Sequence, residues 1–377
     1  MGIFLKYCTF HQKNRLQLYD KGVGLTFFLS GTASSPLETS GQFKDFVSAL
    51  ENRGFQLKLA FPTKFLISMN HNPTAYEEFL KSGGNPKRTV LILLEPRAVY
   101  PAQYSSRIQN LYSHVLSPGS PRFKDSNGDF IPWPYQVSPN PLSPIDEGSS
   151  LQSKVLINMK SGLFDYDKWS RRSKFIIMIN ANKVSSSKSE NYGLRRVFAH
   201  QISKEFLSVY GELWVSSIPQ KIMHRLFVLL FAMKSGHWPR LTHVYGNLHW
   251  KFKTAKGPIE DKQVILQSSK FSIVIENDNS YISEKIFDSL INGCIPIYSG
   301  LKEGSRIIPS GIYIDLPKSP SELVTLLEKI SESDIRGILR EMQTYLESEA
   351  FAKSWDKTRV FGQLASSIEQ HFRKTHE

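Results

Sequence analysis

Short, continuous apolar runs recur through the first half of the chain, and a segment with helical spacing lies between them. The runs are Val23–Leu29 and Thr89–Leu94, with a shorter candidate strand at Leu57–Phe61. Runs without alternating polar residues are typical of strands buried on both faces of a parallel sheet. Phe43–Asn52 repeats apolar side chains at helical spacing, and Gly54 follows as a helix cap. The pattern predicts a doubly wound α/β domain.

The second half repeats this alternation after a proline-rich stretch at residues 117–147. We expect that stretch to be a long irregular connection of the kind that lies beside a cleft. The predicted strands are Lys174–Asn180, Leu241–Tyr245, Phe271–Ile275 and Ile295–Tyr298, and helices are expected to begin near Tyr192 and Glu284 and to cover Thr358–Lys374. Lys221–Lys234 is interpreted as a packed helix, with an amphipathic helix on a membrane surface as the alternative.

The length and hydrophobic content of the chain agree with two domains. The chain has 377 residues, 40% of them hydrophobic, which suits two cores. We expect an N-terminal domain over residues 1–155, a C-terminal domain over residues 156–352, and a final helical segment over residues 353–377 that braces the two.

Lys and Arg number 47 against 34 Asp and Glu, a net charge of +13. Such a charge attracts nucleic acid, an anionic membrane or phosphate-bearing small molecules, and does not distinguish among them.

Cysteine usage and apolar run length bear on the cellular compartment. Cys8 and Cys294 are the only cysteines, so no disulfide framework is expected and a reducing compartment is the simpler interpretation. The first residues become charged too early for a secretory signal, and no run of about 18 uncharged apolar residues occurs. We expect a cytoplasmic protein, with contact at a membrane surface as a possibility left open.

The segment Phe271–Gly300 is the strongest candidate for a ligand-binding site, because a strand, a polar loop and a helix start follow one another there. Ser283 stands where an N-cap belongs, and Lys285 follows in the first helical turn. A lysine there opposes the helix dipole, which makes sense if an anion binds at the free N–H groups. The alternative is a solvated lysine that points away.

A second helix start also has positively charged side chains where the helix dipole disfavours them. Arg195 and Arg196 lie near the beginning of a helix opened by Asn191 or Ser189. Guanidinium groups bind phosphate oxygens in a fork, so the two helix starts together indicate a shared diphosphate. A surface pair of arginines is the alternative.

Glu95 ends the apolar run TVLILL, which puts a carboxylate at the carboxyl edge of the first sheet. A glutamate there can face an interdomain cleft and act as a general base, or can simply close a strand.

His and Cys form no cluster with metal-ligand spacing. Asp165-Tyr166-Asp167 has the form of a DxD motif but is interpreted as a surface turn, so no metal is expected.

These residues resemble a known family, the α-1,3/4-fucosyltransferases (glycosyltransferase family ten). The family shows a Phe-Glu-Asn-Ser element, Tyr-Ile-Thr-Glu-Lys, a helix, Gly-x-Val-Pro-Val and a glycine. The matching positions here are Ile275-Glu276-Asn277-Asp278, Tyr281-Ile282-Ser283-Glu284-Lys285, Gly293-Cys294-Ile295-Pro296-Ile297 and Gly300. Weaker likenesses are Leu94-Glu95-Pro96, Asn180-Ala181-Asn182, Leu194-Arg195 and Val244-Tyr245-Gly246. Asp278 stands where the family has serine, and the serine that follows the family's catalytic glutamate is absent beside Glu95.

The resemblance implies a GT-B architecture of two facing Rossmann-like domains, with GDP-fucose as donor, a glycan as acceptor and inversion at the anomeric carbon. It implies no obligatory metal. Since the membrane anchor and disulfides of animal members are absent, the soluble bacterial-type members are the closer likeness. Carried onto this chain, it implies Glu95 as the base, Arg195 and Lys285 at the diphosphate, and Glu284 at the ribose hydroxyls. Asn180, Asn277, Glu276 and Tyr281 complete the implied donor site, the last two near the fucose or phosphates.

Two other functions remain open from the residues alone. One is a GT-B transferase that uses a different nucleotide sugar. The other is a basic nucleic-acid-binding protein, which only the net charge favours, since the basic residues are dispersed and no nucleic-acid-reading motif accompanies them.

Overall fold

The computed structural model describes residues 25–30, 41–117, 151–185, 187, 189–215, 222, 226, 230, 252–279, 282–301 and 308–374. The first sheet is parallel, with strand order β2-β1-β3-β4-β5. Its strands are β1 (Leu25–Ser30), β2 (Phe55–Leu57), β3 (Phe65–Met69), β4 (Thr89–Ile92) and β5 (His114–Leu116), and its helices are α1 (Gly41–Glu51), α2 (Pro73–Lys81) and α3 (Ser106–Gln109), with short 3-10 turns at Pro86–Arg88 and Pro101–Tyr104.

The second sheet is also parallel, with order β11-β10-β9-β6-β7-β8. Its strands are β6 (Lys174–Ile179), β7 (Leu207–Tyr210), β8 (Ala255–Gly257), β9 (Ser269–Ile275), β10 (Ile295–Ser299) and β11 (Ile314–Asp315). The remaining helices are α4 (Leu151–Lys160), α5 (Tyr166–Ser170), α6 (Tyr192–Gln201), α7 (Lys262–Gln267), α8 (Glu284–Ile291), α9 (Pro320–Lys329), α10 (Glu332–Glu347), α11 (Glu349–Trp355) and α12 (Lys357–Lys374).

Each sheet reverses its strand order at one point, and this point locates ligand sites in open α/β sheets. In the first sheet the reversal lies between β1 and β3, and in the second it lies between β6 and β9. Ligands of such sheets bind outside the carboxyl ends of the strands at this reversal. The two parallel sheets with their helices confirm the predicted fold class.

Two hydrophobic cores accompany the two sheets, and the end of the chain contributes to both. Phe351 and Trp355 of α11 pack in the second core, whereas Phe361 and Leu364 of α12 pack in the first. The expected boundary between residues 155 and 156 falls inside α4, and Val155 packs in the second core.

Several predicted elements are confirmed, among them α6, α8 and α12, while one strand was misplaced. The strand expected over Leu57–Phe61 is wrong, because β2 ends at Leu57 and Leu59 is 56% exposed. Neither β3 nor β7 was predicted. The strand expected at Leu241–Tyr245, the helix expected over Lys221–Lys234, apart from positions 222, 226 and 230, and nearly all of residues 117–147 lie outside the described residues.

Candidate active site

A cavity of about 480 Å³ opens at the carboxyl edge of the second sheet, beside the β6–β9 reversal. It is lined by Ile179, Asn180, Ala181, Gly211, Glu212, Lys262, Leu266, Ser272, Ile273, Val274, Glu284, Lys285, Asp288 and Ser289. Gly211 lets two strand ends approach here, since it has φ +128° and an added Cβ would lie 2.2 Å from the Asn180 carbonyl oxygen. The cavity therefore occupies the position that the sheet topology assigns to a ligand.

Asn180 presents a buried amide to this cavity. Its residue is 4% exposed, and neither its side-chain oxygen nor its nitrogen bonds to any described residue. A buried polar group without a partner costs about 1–3 kcal/mol, so native proteins rarely retain one without a use for it. A ligand that accepts from the amide nitrogen and donates to its oxygen would remove that cost.

The start of α8 is held in place by a buried carboxylate. Glu276 is 0% exposed, and its two oxygens accept from the Ser283 amide at 2.8 Å and the Ser283 hydroxyl at 2.6 Å. Burial raises the pKa of Glu276, although Lys285 and the Ser283 hydrogen bonds oppose the rise. Lys285 Nζ donates to the same hydroxyl at 2.9 Å. Glu276 thus fixes the N-cap serine, and the serine fixes the lysine ammonium.

Charged side chains of both signs line the cavity as ion pairs. Lys262 Nζ lies 2.7 Å from Asp288 Oδ2, and Lys285 Nζ lies 3.4 Å from Glu284 Oε1. Burial alone would raise the pKa of Glu284, but the charges of Lys285 and Lys262 outweigh it and the pKa lies below its usual range. Glu284 is therefore an ionised acceptor, suited to ligand hydroxyl groups.

Arg195 is buried at the end of β9, with 3% of the residue exposed. Its Nε donates to the Ile275 carbonyl at 3.0 Å, and its Nη2 donates to that carbonyl and, at 2.9 Å, to Asn277 Oδ1. The guanidinium also lies over the Tyr192 ring, 4.9 Å from its centroid. These contacts fix the backbone after β9 and place a permanent positive charge behind it.

Glu95 follows β4, and its backbone is held by three side chains. Its N–H donates to Asn70 Oδ1 at 2.8 Å, and its carbonyl accepts from Gln103 Nε2 and the Tyr104 hydroxyl, each at 2.9 Å. Asn70 adopts φ 61°, a left-handed conformation that asparagine tolerates better than most residues.

The Glu95 carboxyl belongs to the first sheet but experiences the charges of the second. Burial raises its pKa, while the nearby positive charges of Lys183 and Lys285 lower it and Glu284 raises it. The charges of Lys183 and Lys285, which belong to the second sheet's loops and helices, therefore act on a carboxyl at the end of β4. A partly buried carboxyl with a raised pKa is the form a general base takes.

The predicted site residues divide into two groups. Asn180, Glu284 and Lys285 line the cavity, and the charges of the last two act on the pKa of Glu95. Arg195, Glu276 and Asn277 form the layer that supports the loop and helix start. Tyr281 lies outside the described residues.

Sequence reasoning missed three residues near this site. Lys183 lies in the turn after β6, Lys262 begins α7, and Gln103 is completely buried beneath Glu95. The signal for Lys183 was its position directly after a predicted buried strand. Lys262 and Gln103 lie in segments that the pattern did not assign, so nothing in the sequence marked them.

Neither a metal centre nor a membrane span emerges from the part of the chain that the structure describes. That part holds no group of three His, Cys, Asp or Glu side chains arranged for a metal ion. Asp165 instead caps α5, accepting from the Lys168 amide at 3.1 Å. Nor does any described helix have the length and apolarity to cross a bilayer.

Comparison of the fold with solved structures decides its type. A crystal structure of an alpha1,3-fucosyltransferase with GDP-fucose matches with a TM-score of 0.51 and 13% identity, covering 92% of this chain and 90% of that chain. The chain has the GT-B fold. Anabaena HepE in complex with UDP and glucose matches with a TM-score of 0.47 and 10% identity, over 92% of this chain and 100% of that one. No protein-family model matches the sequence, and no curated protein matches it.

Proposed function

We propose that this GT-B protein is an inverting glycosyltransferase that moves L-fucose from GDP-fucose to a hydroxyl group of a glycan. The observation that carries the proposal is a cavity lined by Glu284 and Lys285, whose buried Asn180 amide has no partner among the described residues. Glu95 lies near enough for the charge of Lys285 to lower its pKa. The specific donor is supported by the likeness of Phe271–Gly300 to the fucosyltransferase motif. It is supported further by the solved fucosyltransferase that shares this fold and binds GDP-fucose.

In the proposed reaction the donor lies in the cavity with its diphosphate at the start of α8. Lys285 and the free N–H groups of the first turn bind phosphate oxygens, while Glu284 accepts from the ribose hydroxyls. Arg195 adds its positive charge from behind the loop and keeps Asn277 in place. Asn180 supplies the amide contact from the end of β6.

Glu95 acts from the opposite side of the cleft as general base. Its carboxylate takes the proton of the acceptor hydroxyl as the oxygen forms a bond to the anomeric carbon. The bond from that carbon to the diphosphate breaks on the other face, so the configuration inverts and GDP leaves with the electron pair. Fixed cations near the diphosphate stabilise the charge that develops on it. In comparable sites each such contact lowers the activation free energy by roughly 2–4 kcal/mol.

The proposal is tested by incubating the protein with GDP-fucose and a glycan array and detecting products by mass. We expect a deoxyhexose increment on acceptors that carry N-acetylglucosamine, in an α-1,3 linkage. A parallel thermal-shift series with GDP-fucose, UDP-glucose and other nucleotide sugars identifies the donor, because a ligand that binds only the folded state raises the melting temperature. A larger shift with another nucleotide sugar, together with its transfer, would replace fucose in the proposal.

A further inference from the structure

Ala98, in the turn that follows Glu95, is hydrogen-bonded to loops of the second sheet. Ala98 is 2% exposed, and its N–H donates to Asp278 Oδ2 at 3.3 Å. Its carbonyl accepts from the Ser185 hydroxyl. Both backbone polar groups of Ala98 therefore find their partners in the other sheet's loops, which matters because unpaired buried backbone groups are costly.

A hydrogen-bonded turn connects Ala98 to Glu95. Val99 and Tyr100 both donate backbone hydrogen bonds to the Pro96 carbonyl, at 2.9 and 3.0 Å. Residues 96–100 therefore form one hydrogen-bonded turn rather than a loose connection. Glu95 directly precedes this turn, and its own carbonyl is held by Gln103 and Tyr104.

Asp278 is fixed just as firmly on its own side. The Asn191 amide donates to the Asn277 carbonyl at 3.0 Å, and Glu190 and Asp278 form an isolated antiparallel bridge. Arg195 holds the Asn277 side chain at 2.9 Å. The backbone at Asp278 is thus held at the corner formed by the end of β9 and the start of α6.

We infer that Asp278 is a positioning residue that, with Ser185, latches Ala98 and so sets where the Glu95 carboxylate stands relative to Lys285. The inference rests on the proposed function for the role of Glu95 as base. The latch joins the base on one sheet to the donor corner on the other through the two hydrogen bonds of Ala98 and the turn at residues 96–100. Without it, the turn loses both of these cross-sheet hydrogen bonds, and we expect the Glu95 carboxyl to become more exposed to solvent.

The experiment compares two substitutions at Asp278 and a matched pair of serines. Asp278→Ala removes the acceptor, whereas Asp278→Asn keeps an acceptor oxygen in nearly the same shape. Ser185→Ala removes the bond to Ala98. Ser187→Ala is its control, because Ser187 is buried in the same loop but its hydroxyl pairs with Ser189 at 2.9 Å.

The first readout is amide hydrogen exchange at Ala98, measured on the full chain without substrate. We expect Asp278→Ala to speed exchange by about tenfold, the effect of losing one net hydrogen bond. Ser185→Ala should speed it by several-fold, while Asp278→Asn and Ser187→Ala should leave it close to wild type. Equal exchange in all variants would overturn the latch, whatever the activity.

The second readout is kinetic and separates positioning from general destabilisation. Asp278→Ala should lower kcat by about tenfold or more while GDP affinity stays within about twofold, since only the base is displaced. The acidic limb of the rate profile should move toward lower pH, because an exposed Glu95 loses the burial that raises its pKa. Asp278→Asn should restore both.

The outcomes distinguish this inference from the proposed function. If wild-type protein transfers no fucose but Asp278→Ala still frees the Ala98 amide, the fucosyltransferase assignment fails and the latch stands. If the amide is freed while kcat and the pH profile of an active enzyme do not change, the positioning role is wrong. Equal kinetic losses in Ser185→Ala and Ser187→Ala would also contradict it.

Discussion

The two sheets reverse their strand order at equivalent points, yet the described side chains at those points differ sharply. In the first sheet the hydroxyls of Ser30 and Ser68 bond to each other at 2.9 Å, Tyr112 donates to Ser68 at 3.3 Å, and His71 meets the Tyr112 hydroxyl at 3.0 Å. In the second sheet the corresponding corner holds a cavity of about 480 Å³ and the unpartnered Asn180 amide.

The difference is the reason why we propose the second corner, and not the first, as the binding site, although both have the same topology. Polar side chains in the first corner hydrogen-bond to one another, and burial lowers the pKa of His71. In the second corner hydrogen-bonding capacity is left for a ligand. We therefore expect changes on the first sheet to alter chemistry or stability without altering donor binding, and changes in the second corner to alter donor binding.

The largest expected effect comes from Glu95→Gln, which keeps the shape of the side chain but removes the base. Turnover should fall by about 1,000-fold, within the range typical of general-base catalysis, while GDP affinity remains unchanged. Isothermal titration with GDP and initial rates measure the two quantities. Glu77→Gln on the exposed face of α2 is the control, and a matching loss of GDP affinity in Glu95→Gln would remove Glu95 from the role of base.

Lys285→Ala should produce the next largest effect, and it should lower both turnover and GDP affinity. Turnover should drop by about 100-fold, because a cation that stabilises the leaving diphosphate is lost, and GDP should bind more weakly. Lys329→Ala removes an exposed lysine from the end of α9 and serves as the control. Unchanged GDP affinity in Lys285→Ala would contradict the binding role of the α8 start.

The pH profile offers a smaller effect with a defined sign. A base must be deprotonated, so activity should fall as the pH drops through the pKa of Glu95, which burial raises above its ordinary value of 4.5. Lys285 is one of the charges that lower this pKa. Lys285→Ala should therefore move the acidic limb of the rate profile to higher pH. A limb that stays in place or moves lower would show that the two groups do not interact.

The smallest effects concern stability and test the comparison of the two corners itself. Asn180→Leu should raise the stability of the free protein by about 1 kcal/mol, because a buried unsatisfied amide is replaced by an apolar side chain, and should abolish GDP binding. Ser68→Ala should lower stability by about 1 kcal/mol, because Ser30 loses its partner, and should leave GDP binding intact. Denaturant unfolding measures both, and stability changes of the opposite sign would contradict the comparison.

Much of the fold followed from the sequence because parallel strands buried on both faces leave a clear apolar signature. TVLILL and KFIIMIN became β4 and β6, and the cap at Ser283 with Gly293 marked both ends of α8. The short strand β7 was missed because Leu207–Tyr210 follows helix α6 closely and includes a serine. Strand β2 was misplaced because its edge position requires only three paired residues.

The site residues that could be predicted from the sequence are those that lie at the ends of strands or helices. The sequence predicts a role for Lys285 and Glu95 because each charged side chain lies at the boundary of a helix or strand. The roles of Gln103 and Ser185 depend on contacts between segments distant in sequence, so no spacing could indicate them. The buried support that Arg195 gives to Asn277 likewise required coordinates.

The most direct test of the central claim is a crystal structure of the protein grown with GDP. The account predicts phosphate oxygens within hydrogen-bond distance of Lys285 Nζ and the first-turn amides of α8, with the nucleotide in the cavity and the Asn180 amide bonded to it. A nucleotide bound elsewhere, with Lys285 turned to bulk solvent and Asn180 still without a partner, would contradict the claim.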